Sequence, residues 1–199
     1  MWLAPRSIAN RIRRALWRLL FGRMLFGERS AGQARPGTRI AASTVIDHER
    51  SLALADHVYI GPFNFIEASE GVTLGEGVQV TSHVSIVTHS SHRALRLLGR
   101  RYGDWSGSPP GWIAGPVSIG PYSYIGPHSL IEANTRLGRG TLVCAGSIVR
   151  GEFPDFAVLD GRPAQVVGDT RRADAALIAR HPEVRQLREA WAGDEPLGD

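Results

Sequence analysis

Lysine is absent: all 23 basic residues are arginine. Any phosphate this chain binds is therefore held by guanidinium groups or by backbone N–H. Cysteine occurs once, at Cys144. That excludes an internal disulfide and suits a reducing compartment. No uncharged apolar run is long enough to span a bilayer, and Arg18 interrupts "ALWRLLFG", which argues against a secretory signal. Acid is scarce at one end. Residues 1–39 hold nine Arg and a single acid, Glu28, whereas the remainder holds fourteen Arg and eighteen acids. The net charge of +4 thus originates in the N-terminus, and the body does not read as a nucleic-acid-binding surface. What remains, 199 residues that are 43% hydrophobic and 21% charged, is the composition of one sizeable soluble domain with appendages.

The N-terminal appendage, residues 1–39, reads as a basic amphipathic helical segment. Ile8, Ile12, Leu16, Leu19 and Leu20 share one helical face, with Arg11, Arg14 and Arg18 on the other side. Two partners suit such a helix: a neighbouring protein surface, or an anionic inner leaflet on which residues 1–28 would lie peripherally. At the other end, residues 168–199 read as a helical extension with Pro182 at a kink. Its place is as a cap on the domain or as a subunit contact.

Between them runs a repeat. Aliphatic residues fall at Ile40, Ile46, Leu54, Ile60, Ile66, Leu74, Val80 and Ile86, and again from Ile113 through Ile119, Ile125, Ile131, Leu137 and Val143 to Val149. The spacing is six, with two steps of eight. Glycine often follows the aliphatic residue, as at Gly61, Gly120 and Gly126. Period six fits neither a helix nor an amphipathic hairpin. It fits a solenoid of very short strands, each followed by a turn for which glycine supplies the backbone freedom. Three hexapeptides make one triangular coil. The expected architecture is an all-β parallel β-helix over residues 40–167, of about five coils: 40/46/54, 60/66/74, 80/86/113, 119/125/131 and 137/143/149. The eight-residue steps 46→54 and 66→74 fall at the same corner of successive coils, and the long interruption after Ile86 falls there again. Residues 87–112 therefore leave the prism as one long excursion loop, a feature that is usually functional.

Three stretches carry a resemblance to a known family: "SIVTHSSH", "GPVSIGPYSYIG" and "AGSIVRGEFPDFAVLDGRPAQVV". Over roughly residues 40–167 the chain resembles the hexapeptide-repeat, left-handed β-helix acyltransferases, and within them the maltose, galactoside and surface-polysaccharide O-acetyltransferases. The left hand comes from the resemblance, since general crossover rules favour the right. The resemblance implies a homotrimer with active sites between subunits, acetyl-CoA as co-substrate, no resident metal, and a sugar or glycan acceptor. The expected location is cytoplasmic, with the inner face of the membrane as the peripheral alternative. Departures fall on the cofactor side: Pro121-Tyr122, Tyr124, Arg150-Gly151, Arg162 and Gln165 stand where the family usually has other residues. The histidine-glycine-valine segment of serine acetyltransferases is absent.

A sugar hydroxyl attacking a thioester needs a base, and a neutral imidazole suits that task near neutral pH. His89 matches the family histidine and opens the excursion; His92 is the second catalytic candidate. Asn64 and Glu67 lie one coil earlier, where they would bind sugar hydroxyls, orient a histidine or form a solvated turn. Trp105 and Trp112 flank "SGSPPG" and offer ring faces to a sugar or to loop packing. For the cofactor, Ala145 and Gly146 are small where a pantetheine arm needs close approach, and Arg150 and Arg162 suit phosphate. Cys144 reads as small packing rather than a nucleophile, so direct transfer is expected. Three alternatives stand beside O-acetylation: N-acetylation of an amino-sugar nucleotide, a metal-dependent hydratase, and an inactive trimeric scaffold.

Overall fold

The computed structural model describes residues 3–21 and 24–193. The repeat folds into three parallel sheets that the chain visits in rotation. The first contains Tyr59–Ile60, Gln79–Val80, Tyr124–Ile125 and Leu142–Val143. Val45–Asp47, Phe65–Glu67, Ser85–Val87, Leu130–Ile131 and Ile148–Val149 form the second. The third is built of Leu52–Leu54, Val72–Leu74, Val117–Ile119, Thr135–Leu137 and Glu152–Phe153. One aliphatic residue per strand points inward. Ile60, Ile66, Val80, Ile86, Ile125, Ile131, Val143 and Val149 are wholly buried and stack like on like. Each such side chain removed from water stabilises the fold by about 1.5–3 kcal/mol, and this central column replaces a conventional two-layer core.

Glycine after the aliphatic residue does a different job from the one expected. Gly126 does not have positive φ. A Cβ there would sit 2.7 Å from the Ala145 nitrogen of the next turn of chain, so close backbone approach demands it. Positive φ falls instead on corner residues with side chains, among them Phe63, His83, Tyr122 and His128. His83 stacks on His128 with ring centroids 4.9 Å apart, and Phe63 continues that column.

Two expectations need correction. Ile113 is not an inward anchor. It pairs antiparallel with Ser90 at the neck of the excursion, and Ile119 takes the place after Ile86, with Ile119 paired to Leu74 and Leu137. The sequence period could not separate the two, because Ile113 lies six before Ile119. The excursion therefore rejoins the prism at Val117. It still departs from the corner between the second and third sheets, where the eight-residue steps 46→54 and 66→74 also lie. Nor is the excursion structureless. It holds α2 (His92–Leu98), a 3₁₀ segment Gly99–Asp104 and a neck in which His89 pairs with Ala114.

The N-terminal segment is helical only in part. Helix α1 spans Leu3–Phe21, and an antiparallel pair follows, Met24–Ser30 with Gln33–Ala41, turned at Ala31-Gly32 with φ 50° and 77°. Arg39 and Ile40 of this pair bond the strand Tyr59–Ile60, and Ser30 Oγ accepts the Leu54 N–H at 2.7 Å. The pair thus closes the end of the sheet stack, which would otherwise leave ladder groups unpaired. At the far end Ala157–Gly161 and Ala164–Asp169 form a second antiparallel pair. Asp169 then caps α3 (Thr170–Arg180) by accepting the Arg171 N–H, and Pro182 opens the 3₁₀ turn before α4 (Arg185–Ala192). Trp191 of α4 stacks on Tyr122 and lies against buried Phe156, so these helices cover the last turns of the prism.

Candidate active site

The site assembles where the excursion leaves the second sheet. Ile86 is buried in the column, Thr88 is buried beside it, and His89 follows on the first pair of the neck. Gly115 N–H bonds Thr88 O at 3.0 Å, which clamps the returning strand to the departing one. His89 is therefore held by rigid backbone on both sides.

Glu67, one coil below, orients it. Glu67 is buried, and His89 Nδ1 lies 2.9 Å from its Oε2. Oε2 also accepts the Thr88 N–H at 3.0 Å and the Thr88 hydroxyl at 2.7 Å, while Oε1 accepts the Ser69 N–H at 2.8 Å. Burial alone would push this carboxyl up. The hydrogen bonds from Ser69 and Thr88, side chain and backbone together, outweigh burial and hold it at about 2. An ionised carboxylate only accepts, so His89 Nδ1 carries the proton that it donates to Glu67. Ser69 Oγ also lies 3.2 Å from this Nδ1. The far side of the imidazole is fixed by Trp112, stacked at 4.7 Å between centroids and 14° between planes.

His89 lines a small cleft with His92, Ile113, Glu132 and Arg150. His92 opens α2, is exposed, and bonds Ser90 Oγ at 2.7 Å through Nδ1. Its recorded partner is thus a serine of the neck rather than His89. A second, wider cleft is lined by Tyr102, Trp105, Pro109 and Trp112. Trp112 belongs to both the histidine stack and this cleft, so the two spaces adjoin.

The remaining candidates divide. Asn64 is buried: its amide donates to Gly61 O and Thr81 O, and its Oδ1 accepts the Val84 N–H. It builds a corner, with its side chain bonded to backbone on three sides. Ala145 and Gly146 lie at another corner, where Gly146 has φ 75° and Arg162 Nε donates to its carbonyl at 2.6 Å. A side chain at Gly146 would meet the Arg162 guanidinium, so these residues form one shallow, arginine-edged surface. Arg150 is separate from them and stands at the histidine cleft. Cys144 has its thiol pushed up, first by burial and then by the charge of Asp160, which keeps it from being a thiolate nucleophile. Among the described residues no group of three or more His, Cys, Asp or Glu could hold a metal ion.

Residue-by-residue reading missed Ser69, Thr88 and Glu132. A signal existed: with a coil of twenty residues, Ser69 lies under His89, and buried Thr88 sits inside "IVTHSSH".

No family model matches the chain. Among known proteins it is 28% identical over 142 residues to a probable acetyltransferase of Mycobacterium tuberculosis, covering 71% of this chain and 45% of that one. It is 30% identical over 105 residues to galactoside O-acetyltransferase of Escherichia coli, covering 52% and 46%. The chain thus spans less than half the length of these curated relatives. Among solved structures, a hexapeptide-repeat acetyltransferase of Vibrio cholerae complexed with acetyl coenzyme A matches with a TM-score of 0.54 at 22% identity, over 81% of this chain and 78% of that one. An N-acyltransferase of Bacillus cereus, in complex with dTDP and 3-hydroxybutyryl-CoA, matches with a TM-score of 0.55 at 16% identity, over 75% and 89%. At these identities the likeness is one of fold, and it implies that the three sheets wind as a left-handed β-helix. In sequence across part of its repeat, and in the way that repeat is wound, the chain is similar to the hexapeptide-repeat acetyltransferases.

Proposed function

We propose that this chain is an acetyl-CoA-dependent O-acetyltransferase that acetylates a sugar hydroxyl in bacterial surface polysaccharide biosynthesis. One observation carries the reading: a buried, ionised Glu67 fixes His89 with its Nδ1–H donated and its Nε2 free at a cleft. In this role Nε2 takes the proton of the acceptor hydroxyl as its oxygen attacks the thioester carbonyl. The same proton then leaves with the departing thiol, so the transfer is direct and no acyl-enzyme forms. The imidazolium formed in between is stabilised by the Glu67 charge. Arg150 at the cleft suits the cofactor's phosphates, as do Arg162, Gly146 and Ala145 at their own corner. The aromatic cleft of Trp105 and Trp112 suits a sugar ring face, and Trp112 brings it against the base.

The homotrimer belongs to this reading. The histidine cleft measures about 70 Å³, whereas ligand sites run to roughly 300–1,000 Å³. A neighbouring subunit would complete it. The second sheet also turns Val45 and Phe65 outward beside the site, both exposed. About five triangular turns, a cytoplasmic location and a peripheral membrane contact through residues 1–28 complete the picture. The contact is supported by α1, whose Ile8, Ile12, Leu16, Leu19 and Leu20 are all more than half exposed, with Arg11, Arg14 and Arg18 on the opposite side. Among the described residues no helix is long and apolar enough to cross a membrane.

Thiol release from acetyl-CoA, measured with a panel of neutral glycans and amino-sugar nucleotides, tests the function. Release with glycans supports it. Release confined to amino-sugar nucleotides would transfer the reading to N-acetylation, and none with any acceptor would remove it. Flotation with anionic liposomes, with and without residues 1–28, tests the contact; equal flotation of both forms would remove it.

A further inference from the structure

Glu67 reaches two histidines. Its Oε2 already takes three donors, the Thr88 N–H, the Thr88 hydroxyl and His89 Nδ1. Its Oε1 takes the Ser69 N–H. His48 Nδ1 approaches that oxygen to 3.7 Å. His48 keeps this place through its backbone. It follows the strand Val45–Asp47, which pairs in register with Phe65–Glu67, and takes φ 58° at the start of the turn Glu49–Ser51. The imidazoles of two coils thereby flank one buried carboxylate on the coil between them.

We propose that His48 is a positioning residue for His89, competing through the shared Glu67 carboxylate for the proton that His89 would otherwise hold. The proposal rests on His89 being the base. A cation at His48 draws on the same negative charge and opposes protonation of His89. The effect is to keep His89 free of its proton, and so able to act as base, to lower pH than Glu67 alone would allow. The other charged groups nearby are Asp47, Glu49 and Arg50 beside His48, Glu70 after the Glu67 turn, and His92, Glu132 and Arg150 around His89. All are common to the variants compared, so a difference between variants reports His48.

The test is an imidazole NMR titration of the full chain with ¹⁵N-labelled histidine, in the native sequence, His48→Asn and His89→Asn. Asparagine tolerates the positive φ at position 48, and His48→Gly serves if His48→Asn does not fold. The expected result is that His89 titrates roughly 0.3–0.5 pH unit higher when His48 is replaced, as expected for charges coupled across a few ångströms in a partly solvated setting. His48 should rise likewise in His89→Asn. In the thiol-release assay of His48→Asn, the acid limb moves up by the same amount while the plateau rate at high pH is unchanged. Unchanged midpoints, or an unmoved acid limb, would overturn the proposal. Coupled midpoints in a chain that releases no thiol would overturn the acyl-transfer reading and leave the coupled pair standing.

Discussion

In the proposed reaction His89 and Glu67 divide the chemistry between a group that moves a proton and a group that never should. His89→Ala is expected to lower the rate by about 10²–10⁴-fold, the usual worth of a general base, with the circular dichroism spectrum unchanged. Glu67→Gln keeps the shape but offers one carbonyl and one donating amide where Thr88, Ser69 and His89 need acceptors. We expect a fall in kcat with KM for acetyl-CoA little affected. The same residue makes a statement about stability. Its carboxyl is held at about 2 when folded, against 4.5 as a free side chain. A depressed carboxyl contributes stability that is present above the unfolded value and lost as pH falls through the folded one. The native chain should therefore lose up to roughly 3 kcal/mol between about pH 4.5 and 2 that Glu67→Gln does not lose. Asp56 and Asp169 are also lowered, so the measurement is the difference in melting temperature between the two proteins across that window.

At the scale of elements, the excursion is built as a neck and a body. The neck pairs His89 and Ser90 with Ala114 and Ile113, and the body carries the aromatic cleft. This assigns different jobs to two isoleucines of the same hexapeptide series. Ile119 is 1% exposed and paired on both sides. Ile119→Ala should cost about 2–5 kcal/mol in denaturant unfolding. Ile113→Ala should cost far less stability, yet lower activity by loosening the neck that holds His89. Equal stability losses would contradict the placement of Ile113 outside the column. At the far end, Asp169 caps α3 and pairs with Arg171 at 2.6 Å. Asp169→Ala should cost about 1 kcal/mol in denaturant unfolding.

For the whole molecule, the decisive quantity is how many copies make one site. The third sheet turns Thr73, Arg136 and Glu152 to solvent, while the second turns Val45 and Phe65 outward next to the histidine cleft. A face with that composition beside an incomplete cleft fits contact with a second copy. If the proposed trimer forms the site, Val45→Glu shifts the mass measured by light scattering from trimer toward monomer and lowers activity in step. A monomeric variant with full activity would show that one chain suffices.

The resemblance of "SIVTHSSH" singled out His89; the period-six pattern, by itself, determined the prism and the corner from which the excursion departs. Each is a local regularity: a strand of two or three residues needs one aliphatic side chain inward, and successive strands repeat the need. Tertiary structure alone decided the rest. Asn64 and Glu67, three apart in sequence and both buried, became a backbone-bonded corner and the carboxylate beside His89 because different groups reach them. Ile113 lost its anchor role to Ile119 because the neck, not the period, determines where the chain returns. Thr88, Ser69 and His48 lie against Glu67 because stacking sets residues twenty or so apart side by side, and no run of neighbouring letters records that contact.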